Sequence, residues 1–294
     1  MTVPPPLYPL LYEPLVRRAL EEDLGRAGDL TTDAVVPLDA RGEARVVARS
    51  QGRIAGLPAA LAAFRVLDPA IEVELASADG RDAAAGETLA LVRGPLRPIL
   101  SAERTALNLL GRLSGVATAT WGIVRAIESE LGPEVGPSAA RVVCTRKTTP
   151  GLRALEKHAV RCGGGASHRF GLDDAVLVKD NHRAVAGGVV EAVRRVRAHV
   201  GHLVKVEVEV DTLDELDQAL AAGVDAVLLD NMTVGELAEA VRRAPRTTPR
   251  PVTEASGGIP PETAPRIAAT GVDLLSVGWI THSPPALDVA LDLA

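Results

Sequence analysis

Val204-Lys205-Val206-Glu207-Val208-Glu209-Val210-Asp211 alternates valine with a charged residue along its whole length. Successive side chains of a strand point to opposite faces, so this stretch, read as a strand, puts its valines on one side and Lys205, Glu207, Glu209 and Asp211 on the other. An edge strand with one solvated face would show the same pattern. The neighbours decide otherwise, because helical patterns flank the stretch on both sides and helices cover the outer faces of a parallel sheet. The valines then face the helices and the charges face the interior, where they need a partner, a ligand or a metal.

Working outward, the same strand-and-helix alternation predicts strands near 141–145, 175–180, 203–210, 226–231, 253–257 and 274–278, with a candidate seventh around Val160 to Gly163. Recurrence every 21 to 34 residues is the pattern of βαβ units. A doubly wound sheet would ordinarily carry a Gly-rich fingerprint after its first strand, and Cys144 to Thr149 has none. The expectation is an incomplete α/β barrel. Ala222-Gly223-Val224-Asp225 and Thr270-Gly271-Val272-Asp273 echo one another before two of the strands, as repeats in such barrels do.

Upstream the pattern changes. Residues 12 to 24 read as an amphipathic helix, Asp29-Leu30-Thr31-Thr32-Asp33 as a capped turn, and Gly42 to Pro98 as short alternating runs punctuated by glycine, a small β-rich unit. Residues 100 to 130 form one long helical stretch with Leu107, Leu110, Leu113 and Val116 at three-residue spacing.

Composition bounds the function. The chain has 294 residues, enough for one large domain with a smaller companion. Only 2% are aromatic against 47% apolar, so Ala, Val and Leu must fill the core. No run approaches the roughly 18 uninterrupted apolar residues of a spanning helix, and Met1 to Leu10 has neither the charged start nor the apolar run of a signal peptide, which implies a cytoplasmic protein with no membrane partner. Cys144 and Cys162, without CxxC spacing, read as small buried residues. The net charge of −6 tells against nucleic acid as a partner, yet Arg141, Arg146, Lys147, Arg153, Lys157, Arg161, Arg169, Lys179 and Arg183 crowd into 43 residues. A basic cluster on an acidic protein points to a small polyanion.

The strand ends carry the chemistry. Thr145-Arg146-Lys147-Thr148-Thr149, Lys179-Asp180-Asn181-His182, Glu209-Val210-Asp211, Asp230-Asn231, Glu254-Ala255-Ser256-Gly257-Gly258 and Gly278 would converge on one rim of a barrel, the rim where barrel enzymes hold their active sites. Gly163-Gly164-Gly165 followed by His168-Arg169 joins glycines, whose amides can approach an anion, to a guanidinium that grips carboxylate or phosphate with two hydrogen bonds. Ser256-Gly257-Gly258 and Gly278, after the last two strands, suit a phosphate.

Taken in order, Glu22-Asp23-Leu24-Gly25, Gly28-Asp29-Leu30-Thr31-Thr32, Glu103-Arg104-Thr105-Ala106-Leu107-Asn108, Thr145 to Gly151, Gly163-Gly164-Gly165 with His168-Arg169, Val178 to His182, Glu207 to Val210, Leu229-Asp230-Asn231 and Ser256-Gly257-Gly258 make the chain resemble the quinolinate phosphoribosyltransferases over nearly its whole length. The resemblance implies an N-terminal α/β sandwich domain over 1–115, joined by a C-terminal helix over 283–294, and a roughly seven-stranded α/β barrel over 116–282. It implies transfer of phosphoribose from 5-phosphoribosyl-1-pyrophosphate (PRPP) to quinolinate, with loss of carbon dioxide. Arg146, His168, Arg169 and Lys179 would hold the quinolinate carboxylates, aided by Arg104 from the neighbouring subunit of a homodimer. Lys147 would reach the pyrophosphate, Glu209 and Asp230 would hold Mg²⁺ and the ribose hydroxyls, and Ser256, Gly257, Gly258 and Gly278 would cradle the 5-phosphate. Lys147, Lys179, Glu209 and Asp230 make up the implied catalytic set. A paralogue taking another heteroaromatic acid, a Schiff-base aldolase working through Lys179 or Lys205, and a non-catalytic binding protein stand as the alternatives.

Overall fold

In the computed structural model, residues 4–132, 140–244 and 249–294 are described. The first three residues of the Met1 to Leu10 start lie outside them. By contacts the chain divides into two compact units, one of residues 1–121, 148–164 and 280–294, the other of residues 122–147 and 165–279.

The first unit is built on strands β1 (Arg41–Ala48), β2 (Gly52–Arg53), β3 (Glu72–Leu75), β4 (Asp82–Ala83) and β5 (Thr88–Pro95). A four-stranded antiparallel sheet runs β13-β1-β5-β3, where β13 (Val289–Leu293) comes from the far end of the chain. The C-terminal helix expected over 283–294 is therefore a strand. The reason is in the residues: Leu287, Val289, Leu291 and Leu293 recur every second position, a strand period. The segment leading into β13 lies against the long helix Leu96–Leu131 at two glycines. A Cβ on Gly115 would sit 2.1 Å from the Pro285 carbonyl, and one on Gly111 2.8 Å from that of Leu287, whose amide donates to Gly111 at 2.9 Å. The Asp29 turn opens a short helix, Leu30–Val35, with the Asp29 carboxylate accepting from the Thr32 amide.

Residues 148–164 join this unit through a buried polar knot. The fully buried Glu156 carboxylate accepts from Arg112 at 2.8 and 3.1 Å, from the Thr149 amide at 3.0 Å and from its hydroxyl at 2.8 Å. The candidate strand around Val160 to Gly163 is the end of helix Arg153–Cys162. Its apolar residues at 155, 159, 160 and 162 are spaced for a helix face.

The second unit carries β6 (Arg141–Cys144), β7 (Ala166–Ser167), β8 (Val176–Val178), β9 (Val206–Val210), β10 (Ala226–Asp230), β11 (Val252–Ser256) and β12 (Leu274–Ser276). These form one parallel sheet in the order β7-β6-β12-β11-β10-β9-β8. β12 returns to pair with β6, as in a barrel, and the sheet ends at β7 and β8, consecutive strands that do not pair. The incomplete seven-stranded barrel is thus as expected. The seventh strand is β7, too short at two residues to show a period. Crossover helices are nucleated locally: Thr212 and Thr233 accept from the Glu215 and Glu236 amides, and Glu236 closes a capping box back onto Thr233.

In β9, Val206, Val208 and Val210 are fully buried, and Glu207 and Glu209 retain 8% exposure. The two outer charges depart from the expectation of an interior face. Lys205 and Asp211 lie outside the five-residue strand with exposed heads, paired to Asp225 and Arg183 at 2.8 and 2.6 Å.

Candidate active site

At the C-terminal ends of the barrel strands, Arg146, Lys147, His168, Arg169, Lys179, Glu209, Asp230 and Ser256 line one pocket of about 400 Å³. Each is placed by where its strand stops. Arg146 and Lys147 succeed β6, His168 and Arg169 succeed β7, and Lys179 succeeds β8 as the N-cap of helix Asp180–Ala186. Glu209, Asp230 and Ser256 stand at the ends of β9, β10 and β11.

Two guanidinium groups dominate. Arg169 has its pKa held below the usual arginine value, first by burial and then by the adjacent Arg146, with Glu207 and Asp174 pulling the other way. The Arg146 Nε is buried and finds no hydrogen-bond partner among the described residues. Two like charges drawn together and partly dried out need an anion between them. Lys179 faces Glu209 at 2.5 Å, and Lys147 stands exposed at the mouth, its amide donating to Thr145 Oγ1 at 3.0 Å.

Glu209 and Asp230 supply carboxylates from neighbouring strands to the same pocket. The Asn231 Nδ2 donates to Asp230 at 2.8 Å, and Lys179 Nζ donates to Glu209. Carboxylate oxygens with room for waters and substrate phosphates fit a hard cation such as Mg²⁺. Asn231 adopts a left-handed φ of 54°, and its Oδ1 would sit 2.2 Å from a Cβ on Gly257, which itself has φ 113°. Only glycine fits there, so the β10 and β11 ends are locked side by side with Gly257 and Gly258 turning away at positive φ.

The other expected site residues sit elsewhere. Gly257, Gly258 and Gly278 come after β11 and β12 but do not line the pocket. Arg104 is exposed in the first unit, in a separate recess of about 260 Å³ with Glu22, Asp23, Asn108 and Arg112.

His168 of this pocket also joins Glu207 and Glu254 in one group. His168 Nε2 is 2.8 Å from Glu207 Oε2 and 3.7 Å from Glu254 Oε1. Glu254 is 1% exposed, and its carboxyl is pushed up to about 7 by burial and then by Glu207, with the Ser276 hydroxyl bond working the other way. A signal for it exists in the sequence: Glu254 is two residues before Ser256 on the same strand, hence on the same inward face.

Comparison with known proteins agrees with this arrangement. The model of the quinolinate phosphoribosyl transferase C-terminal domain matches residues 116–292, and that of the N-terminal domain residues 29–114. The chain is 42% identical over 273 residues to a probable nicotinate-nucleotide pyrophosphorylase [carboxylating] of Bacillus subtilis, covering 92% of this chain and 90% of the relative. It is 44% identical over 283 residues to the nicotinate-nucleotide pyrophosphorylase [carboxylating] of Mycobacterium leprae, covering 95% of both. The solved nicotinate-nucleotide pyrophosphorylase of Francisella tularensis superposes with a TM-score of 0.89 at 36% identity, covering 98% of each chain.

Proposed function

The chain belongs to the quinolinate phosphoribosyltransferase family, and from that premise we propose that it transfers phosphoribose from PRPP to quinolinate, releasing pyrophosphate and carbon dioxide and yielding nicotinate mononucleotide for NAD biosynthesis. The observation that carries the reading to this chain is that Arg146 and Arg169, each half-buried with its Nε buried, line the same rim pocket. Two adjacent carboxylates on a planar ring satisfy two guanidinium forks at once; a single carboxylate does not.

Binding the dicarboxylate between these cations orients the pyridine nitrogen toward the carboxylate side of the pocket. As the bond from ribose C1 to pyrophosphate breaks, positive charge grows on the ribose, and Glu209 and Asp230 stabilise it from fixed positions. Lys147 receives the negative charge moving onto the pyrophosphate, while Lys179 stays with the quinolinate carboxylates. Glu209 and Asp230 would also hold Mg²⁺, which when bound neutralises the leaving pyrophosphate. Once the ring nitrogen bears the ribose it is cationic; its charge stabilises the electron pair left on the adjacent ring carbon as carbon dioxide departs, and that carbon then takes a proton from water.

Ser256, Gly257 and Gly258 are assigned to the 5-phosphate together with Gly278, on the strength of their place at the last two strand ends. We assign Arg104 to a neighbouring subunit's pocket in a homodimer; its support is its exposure and its lack of any ion pair among the described residues. The reading extends to a cytoplasmic enzyme, in keeping with Cys144 and Cys162 being buried and not joined in a disulfide; among the described residues no helix is long and apolar enough to cross a membrane. The Schiff-base alternative fares poorly: Lys179 is ion-paired with Glu209, and Lys205 precedes its strand at the opposite end of the barrel, paired with Asp225.

The test is incubation with PRPP, Mg²⁺ and quinolinate carrying ¹³C in the carboxyl next to the ring nitrogen. Nicotinate mononucleotide and labelled carbon dioxide should appear in equal amounts. Mononucleotide without labelled carbon dioxide, or no product, would overturn the assignment.

A further inference from the structure

The resemblance casts His168 as a cation for a quinolinate carboxylate; the hydrogen bonds around its ring give it another part. The Arg169 backbone amide donates to His168 Nδ1 at 2.7 Å. A nitrogen that accepts an N–H carries a lone pair and no proton, so the ring proton is on Nε2. Nε2 faces Glu207 Oε2 at 2.8 Å, the geometry of an N–H donated to a carboxylate.

The same bonds dispose of a metal reading for the His168, Glu207 and Glu254 group, whose ligand atoms lie within 4.8 Å of one another. A histidine that binds a metal through Nε2 presents Nδ1–H to a second partner. Here Nδ1 is an acceptor.

We infer that His168 is a neutral positioning residue, a peg between Glu207 on β9 and the Arg169 amide, which fixes where the Arg169 guanidinium enters the pocket and supplies no charge to the substrate. Several observations converge on the peg. Strand β7 is only two residues long and ends at this turn, so little backbone pairing anchors the residues after it. The His168 side chain is 12% exposed and that of Glu207 11%, so both are held from all sides. Arg169 is kept at the Ala175 carbonyl by Nη1 at 3.2 Å, the far side of the same turn. The positive charge facing the quinolinate dianion then comes from Arg146, Arg169 and Lys179.

This inference rests on the quinolinate reading for its consequence, but its physical core is independent of it. Selective ¹⁵N labelling of histidine, with the His168 signals identified by their loss in H168N, reads the ring directly in the whole protein. At pH 7 the expected result is one protonated nitrogen, Nε2, and one bare nitrogen, Nδ1; two protonated nitrogens would overturn the inference whether or not the protein turns over quinolinate.

The functional half is read by kinetics. Asparagine places its Oδ1 where His168 carries Nδ1, so H168N keeps the acceptor for the Arg169 amide and H168A loses it. H168A should raise the quinolinate KM by about 10- to 100-fold with the PRPP KM little moved, as expected for a displaced binding group. H168N should recover most of that loss, and E207Q, whose amide oxygen still accepts from Nε2–H, should outperform E207A in the same way. If H168N is as impaired as H168A while both keep the wild-type melting temperature, His168 acts by charge and the inference fails. Absence of product from the wild type would instead sink the proposed reaction, leaving the tautomer to the spectrum.

Discussion

The two rims of the barrel use the same residue types to opposite ends. At the N-terminal rim, Asp225 accepts from the Val206 amide at 2.9 Å and pairs with Lys205 and Arg197 at 2.8 and 2.7 Å. Asp273 repeats the device two βα units later, accepting from the Thr253 amide at 2.7 Å and pairing with Arg250 at 3.0 Å. These are the two aspartates of the echoed Gly-Val-Asp motif, so the echo is a staple that pins one strand start to the next. At the C-terminal rim Arg146, Lys147, Arg169 and Lys179 line one pocket with only two carboxylates, Glu209 and Asp230, and Arg146 is near enough to lower the Arg169 pKa. Matched charges at one end pin the strands, and the crowded charges at the other are those proposed for binding, the division of labour general to barrels.

The sharpest way to break this division is at the crowded rim. Truncating Arg169 to alanine removes one of two forks for a dianion and should lower kcat/KM for quinolinate by about 10² to 10⁴-fold, since loss of a buried charged hydrogen-bonding partner costs roughly 2–5 kcal/mol. R169K should recover little, because an ammonium has no planar fork. Steady-state kinetics with a parallel melting curve checks both; a large fall in melting temperature would place Arg169 with the staples instead.

Next in size, D225N and D273N should each lower stability by about 1–3 kcal/mol, the penalty for weakening a charge-assisted bond to a strand amide, with both KM values unchanged. Urea unfolding measures the first and kinetics the second. Burial alone would raise both aspartate pKa values, but Lys205 with the Val206 amide and Arg197 lowers that of Asp225, and Arg250 with Thr253 lowers that of Asp273. A depressed carboxyl stabilises the fold above its unfolded value and loses that contribution as pH falls through its folded value. The wild type should therefore weaken below about pH 4, and the double asparagine variant should show a shallower acid slope.

Glu254 runs the other way. Its folded value, about 7, lies above the ordinary 4.5, so the protonated form is favoured in the native state and stability should decline as pH rises from about 4.5 to 7. E254Q cannot ionise and should flatten that decline. If the pH 5 and pH 8 unfolding midpoints of the wild type and E254Q run parallel, Glu254 is not a buried neutral acid.

The smallest effect is expected at Lys205. Its exposed ammonium at the matched rim should contribute no more than about 0.5–1 kcal/mol, and K205A should turn over substrate as the wild type does. A loss of activity in K205A would revive chemistry at that end.

Legibility in the sequence tracks periodicity. The six longer strands are visible because short, mostly apolar runs alternate with helical patterns, and β9 carries its orientation in its alternation. β7 is invisible at two residues, and the apolar end of helix Arg153–Cys162 takes its place in a reading by hydrophobic runs. The C-terminal strand is legible in Leu287, Val289, Leu291 and Leu293, a local period at odds with the helix that the family resemblance implies. The pocket itself is largely legible, because strand ends converge in any barrel. The tautomer of His168 and the like-charge crowding at Arg169 are not, since both depend on which atom of a side chain meets which neighbour.

The central claim is that two guanidinium groups crowd the substrate pocket in order to hold two carboxylates. The measurement that tests it most directly is kcat/KM for quinolinate against nicotinate, each with PRPP and Mg²⁺. The account predicts that quinolinate is favoured by at least about 10²-fold, the scale of one unsatisfied buried charged contact, and that R169A loses most of the margin. Equal use of nicotinate, or a preference that survives R169A, would contradict it.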